Sequence, residues 1–169
     1  IRAVPNKFPA LVPEGNLSRR EEEGLFRKMD GVGHHEVIIE TPQHNQCIAL
    51  MEEKQVEEIL LAYRERYLAL RDDPRFKLII IFKNHGLAAG TSLEHPHCQL
   101  VATPIVPLNI RYRFEKAASH FDDDGTCVYC DTVREGLRVR TRLIMETGRF
   151  AVFHPFASRA PFETWILPK

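Results

Sequence analysis

The sequence predicts an α+β protein with an internal duplication. Three observations point that way: apolar residues at helical spacing in two stretches, short β-branched runs between them, and an opening segment that recurs near the end. In residues 51–71, Val56, Ile59, Leu60, Tyr63, Tyr67 and Leu70 follow the 3.6-residue period. That spacing predicts an amphipathic helix of about five turns, stopped by Asp72, Asp73 and Pro74. Ile110, Phe114, Ala117, Ala118 and Phe121 predict a second such helix, and Asp122, Asp123, Asp124 and Gly125 read as a solvated turn that ends it.

The strands are predicted in the β-branched runs. Residues 35–40 (HEVIIE) end at Thr41 and Pro42, residues 76–82 (FKLIIIF) have the pattern of a buried strand, and residues 97–103 lead into Pro104. Residues 4–12, with Pro5 and Pro9, are expected to be extended and broken by turns, and residues 14–30 to be a charged surface loop. Further strands are expected at residues 142–145, 150–153 and 162–167. Glu36 in its β-branched run and Glu163 before Thr164, Trp165 and Ile166 stand in similar settings, each after a Phe–Pro or Pro–Phe pair. A recurrence at more than about 100 residues suggests a duplicated domain rather than a solenoid. The expected division is a first domain over residues 1–121 and the start of a second over residues 122–169.

Composition narrows the function classes. The chain has 169 residues, 44% hydrophobic and 27% charged, as soluble globular proteins do. Lys+Arg and Asp+Glu both number 23, so net charge gives no reason to expect nucleic acid or an anionic membrane as a partner. No apolar run approaches the roughly 18 residues of a membrane span. The opening Ile1-Arg2-Ala3-Val4-Pro5 reads as the middle of a longer product. Of the four cysteines, Cys127 and Cys130 form a CxxC, while Cys47 and Cys98 stand alone and read as small buried hydrophobes. A reducing cytoplasm, with the CxxC as half of a metal site, fits this usage better than disulfides.

The chemistry concentrates in residues 82–99. If residues 95–99 are extended, His95, His97 and Gln99 project from one face while Pro96 and Cys98 face the other way. Ahead of them, Gly86 and Gly90 allow close approach of backbone to a ligand, and Asn84 and Ser92 add neutral donors. Five further histidines, at positions 34, 35, 85, 120 and 154, are read as surface or core residues without a catalytic role.

The pattern Asn84-x-Gly86-x-x-x-Gly90-x-Ser92-x-x-His95-Pro96-His97-x-Gln99 resembles the signature of the galactose-1-phosphate uridylyltransferase family, within the histidine-triad superfamily. Asn6, Lys7 and Phe8 resemble the family's nucleotide-contacting segment, and His44 its zinc-ligand histidine. The resemblance implies a histidine-triad-like antiparallel sheet flanked by helices, duplicated, with the second copy truncated. It implies His97 as nucleophile and Gln99 as hydrogen-bond donor to the nucleotidylated phosphate, with Asn84, Gly90 and Ser92 among the substrate contacts. It also implies structural zinc on His95 and His44 with a cysteine pair ahead of Ile1, and a second zinc site on Cys127 and Cys130. The expected partners are a nucleotide-sugar and a sugar phosphate, and the expected assembly a homodimer. The expected reaction moves a nucleoside monophosphate between the two. Kept beside it are an adenylyl-specific nucleotide-sugar phosphorylase, which residues 91–94 and the CxxC resemble somewhat more, a histidine-triad hydrolase, and a catalytically silent nucleotide-binding module.

Overall fold

A computed structural model describes residues 1–91 and 93–169. They form two compact units, Ile1–Val106 and Pro107–Lys169. In chain order the elements are β1 (Arg2–Pro5), β2 (Arg20–Glu22), β3 (Phe26–Lys28), β4 (His34–Ile39), α1 (Glu53–Leu70), β5 (Leu78–Phe82), β6 (His97–Thr103), α2 (Leu108–Asp124), α3 (Val128–Val139), β7 (Leu143–Glu146), β8 (Phe150–Phe153) and β9 (Trp165–Pro168). The protein is α+β, with sheets that are antiparallel throughout their named strands. No described helix is long and apolar enough to cross a membrane.

The first unit is a four-stranded sheet in the order β1-β4-β6-β5. Period-two alternation divides β6 cleanly. Cys98, Leu100 and Ala102 are buried, while His97, Gln99 and Val101 are only half-buried. Ile38, Cys98 and Leu100 make the core of this unit, with Tyr63 and Leu70 of α1 packed against it. The apolar face of α1 thus covers one side of the sheet and leaves the other, bearing His97 and Gln99, open.

Two positions need glycine, one for a close approach and one for its backbone angle. A Cβ on Gly33 would lie 2.4 Å from the carbonyl oxygen of Ala102, too near for any side chain. Gly90 has φ 78° where it ends a 3-10 turn at Leu87–Ala89, a left-handed conformation that glycine adopts without strain.

The second unit carries a three-stranded sheet, β7-β8-β9, with Val133, Ala151 and Phe153 as its core. Here the structure differs from two expectations and adds a helix. Residues 122–124 are the last turn of α2 rather than a loop, and Gly125, at φ 70°, caps it in the left-handed conformation. Helix α3 begins within the CxxC, with Cys127 at its N-cap. Its buried Val133 and the partly buried Leu137 lie one turn apart, a short pattern that the prominent cysteine pair obscured. The unit boundary falls at Val106/Pro107 rather than after residue 121, because α2 packs with α3. In the first unit, residues 20–28 are not a plain loop but the exposed hairpin β2–β3, turned at Glu23 (φ 51°) and Gly24 (φ 75°).

The duplication has a structural counterpart. In the first unit Glu36 faces Pro5 across the β1–β4 pair. In the second, β8 pairs antiparallel with β9, which starts two residues after Glu163. Each unit therefore pairs a short strand with the glutamate-bearing segment that follows it.

Candidate functional site

The open face of β4 and β6 holds the site. Ile39 lies opposite His97 and Val37 opposite Gln99, so the two polar side chains stand on an apolar floor. The Nδ1 atom of His97 lies 2.7 Å from the carbonyl oxygen of His95. A carbonyl can only accept, so Nδ1 carries the proton and Nε2 keeps its lone pair. That tautomer and ring orientation come from the backbone carbonyl two residues earlier, just ahead of β6.

Two cavities converge on His97. One, of about 770 Å³, is largely apolar and bounded by Val4, Phe8, Val37, Ile39 and Leu93, with Asn6, Lys7 and Gln99 at its rim. The other, of about 340 Å³, is lined by Lys83, Asn84, His85, Gly86 and Thr91. His95, His97 and Leu93 belong to both. A flat apolar group fits the first and an anion the second, with the His97 ring between them.

Behind the strand lies a buried polar cluster that the sequence did not announce. Glu40, with 0% of its surface exposed, accepts hydrogen bonds from the Tyr63 hydroxyl at 2.7 Å and the Cys98 thiol at 3.0 Å. It is also ion-paired with Lys83. Desolvation pushes the Glu40 carboxyl up. The Cys98, Lys83 and Tyr63 donors outweigh that and hold it below the usual carboxylate range. Lys83 Nζ also reaches the carbonyl oxygen of His97 at 3.4 Å, which ties the cluster to the strand that His97 begins.

The two histidines expected to bind metal come together. His44 Nδ1 and His95 Nδ1 are 3.2 Å apart. Two zinc–nitrogen bonds of the usual length in a tetrahedron span about 3.3 Å between their nitrogens. His95 Nε2 lies 2.7 Å from the carbonyl oxygen of Thr41, so its proton sits there and its Nδ1 lone pair faces His44. The donor set therefore fits two corners of a zinc tetrahedron. Among the described residues no group of three or more His, Cys, Asp or Glu side chains could hold a metal ion. In the second unit, Cys127 and Cys130 are exposed thiols at the start of α3. The N–H groups of Cys130 and Tyr129, then the Cys130 thiol, hold Cys127 below the ordinary thiol value. Cys130, as the donor of that pair, is raised. Of the two, Cys127 is the one that leans toward the thiolate form that metal requires.

Not every residue singled out from the sequence lines the site. Asn6, Lys7, Phe8 and Asn84 do. Gly90 lies at the exposed end of the 3-10 turn and shapes the loop instead. Ser92 lies outside the described residues. His35, read as a bystander, hydrogen-bonds Gln99 across β4 and β6. Its only signal in the sequence was its period-two spacing from Val37 and Ile39.

Comparison with known proteins is consistent along the chain. The family described as galactose-1-phosphate uridyl transferase, N-terminal domain, matches residues 1–107. An ADP-glucose phosphorylase of Arabidopsis thaliana is 33% identical over 172 residues, covering 100% of this chain and 47% of that protein. A galactose-1-phosphate uridylyltransferase of Thermotoga maritima is 32% identical over 165 residues, covering 97% of this chain and 51% of that protein. A solved uridylyltransferase structure superposes with a TM-score of 0.89 at 26% identity, over 99% of this chain and 53% of that one. The chain spans about half the length of the curated relatives it matches.

Proposed function

Because the chain belongs to the galactose-1-phosphate uridylyltransferase family, we propose that it carries the nucleophile of a nucleotidyltransferase acting on a nucleotide-sugar and a sugar phosphate. The observation that carries this reading is the His97 ring, with Nδ1 held by the His95 carbonyl and Nε2 left as the basic nitrogen where two cavities meet. In the first half-reaction Nε2 attacks the α-phosphorus. The bond from phosphorus to the bridging oxygen breaks, and its electron pair leaves on the sugar 1-phosphate. In the second, a phosphate oxygen of the incoming sugar phosphate attacks the nucleotidyl-histidine, and the nitrogen–phosphorus bond breaks to restore His97. Imidazole suits the task because it is uncharged near neutral pH yet basic enough to attack an anionic phosphorus centre. The apolar cavity beside Phe8 receives the base and ribose, and Gln99 donates its amide to a non-bridging oxygen whose charge grows in the transition state.

Zinc on His44 and His95 belongs to the same proposal, with two further ligands. Bound there, it would stiffen the segment leading into β6 and supply no reacting group. Cys127 and Cys130 supply two ligands of a second structural site.

A second reading has a specific observation behind it. The 33% identity to an ADP-glucose phosphorylase extends over the whole chain, and in that reading inorganic phosphate is the acceptor. Mass spectrometry of the full-length protein mixed with a nucleotide-sugar alone tests the shared step: a monophosphate adduct on His97 is expected, and none in His97→Gly. Resolution of the adduct by hexose 1-phosphate identifies the transferase, and by inorganic phosphate the phosphorylase. Initial-rate plots that converge with no adduct would establish direct transfer and remove His97 as nucleophile.

A further inference from the structure

We propose that His35 is a positioning residue that sets which end of the Gln99 amide faces the substrate. The inference rests on the proposed role of Gln99 as a donor to the transferred phosphoryl group. The backbone N–H of Ala10 donates to His35 Nδ1 at 3.0 Å. An N–H can only donate, so Nδ1 has no proton, and the neutral ring carries its proton on Nε2. Two side chains approach that nitrogen: Gln99 Oε1 at 2.9 Å and Asn6 Nδ2 at 3.0 Å. The Asn6 amide oxygen is already committed to the Phe8 N–H at 2.9 Å, so the Asn6 group facing His35 is itself a donor. Gln99 Oε1 is therefore the acceptor of the Nε2 proton. With the oxygen of Gln99 held on His35, its NH₂ is turned away from the imidazole, and the side chain borders the cavity it shares with His97.

The consequence is chemical. A glutamine amide is nearly symmetric in shape, so a free one presents oxygen or nitrogen to a ligand with similar ease. Oxygen toward a phosphoryl group is repulsive, and nitrogen is stabilising. A main-chain N–H, which cannot reverse its polarity, fixes the histidine tautomer. The tautomer fixes the amide, and the donor is in place before substrate arrives. This relay links the turn after β1 to β4 and then to β6, and it uses the one histidine on the open face of β4.

A double-mutant cycle in the full-length protein tests it, using the rate of adduct formation on His97 in a single turnover, nucleotide affinity and thermal stability. His35→Phe keeps a planar ring of similar size but cannot hold the amide. It is expected to slow adduct formation about tenfold, the worth of one neutral hydrogen bond, with nucleotide affinity changed much less. In a Gln99→Ala background the same substitution should change the rate less than about twofold, since there is no amide left to orient. His35→Gln, whose amide N–H can replace Nε2, should recover part of the loss. Equal slowing in both backgrounds would make His35 merely structural and overturn the inference, as would no slowing in the single variant. A wild-type protein that forms no adduct would instead overturn the functional reading on which the relay rests, so the two failures are told apart.

Discussion

Cys98 shows how far environment can remove a residue from chemistry that its type would allow. Its thiol lies between the Glu40 carboxylate at 3.0 Å and the Tyr63 hydroxyl at 2.6 Å. Burial, then the hydrogen bond to Glu40, pushes it up to about 12. At neutral pH it is a protonated donor, and the thiolate that reagents attack is scarce. Thiol-modifying reagents should therefore label the exposed Cys127 and Cys130 of the metal-free native protein and leave Cys98 unmodified until it unfolds. Peptide mapping after brief labelling reads this directly, and rapid native labelling of Cys98 would show that the cluster opens. On the other face of the same strand, Gln99→Ala should slow both half-reactions by about 10²–10³, as loss of a transition-state donor does elsewhere. Equal rates for variant and wild type would remove the donor role.

At the scale of elements, α1 is seated on β4 through two carboxylates on either side of the apolar Ile38. Arg66 Nε donates to Glu36 at 2.8 Å, and Tyr63 donates to Glu40 at 2.7 Å. Desolvation raises Glu36, but Arg66 and His34 outweigh it, so both carboxyls sit below their ordinary value of 4.5 in the folded protein. Groups lowered by folding contribute stability that is present in full above the unfolded value and lost as pH falls through the folded one. The thermal midpoint should thus hold above about pH 5 and fall as the medium is acidified through pH 4 and below. Glu40→Gln should flatten part of that fall, and an unchanged acid profile would show that Glu40 contributes nothing to it. Glu40→Ala leaves Lys83 without its buried partner, and the loss expected in denaturant unfolding is about 3–5 kcal/mol.

For the whole molecule, the zinc proposal makes the two units separable in a measurement. His44→Ala should remove one zinc per chain from the full-length protein and lower its thermal midpoint, while Cys127→Ser should remove a different one. Metal content and unfolding of each variant settle this. Full zinc content in both variants would strike His44 and Cys127 as its ligands. The two units share a grammar, an antiparallel pair carrying Glu36 in one and leading from Glu163 in the other.

What the sequence determined by itself was local. The 3.6-residue period located α1 to within two residues of its ends, and period two placed His97 and Gln99 on one face of β6 with Cys98 on the other. Both follow from backbone geometry that any neighbour must respect. The pattern from Asn84 to Gln99 also carried the family resemblance, because its residues are close in sequence. Tertiary structure decided what depends on register between distant segments. His44 meets His95 across 51 residues, and His35 meets Gln99 across 64. Glu40 gathers partners from α1, β6 and the end of β5. No local period encodes such meetings, since a shift of one residue in β4 against β6 would turn His35 to the opposite face while leaving every sequence pattern unchanged. The register His35↔Val101, Val37↔Gln99, Ile39↔His97 made a positioning residue out of a histidine that composition alone would leave on the surface.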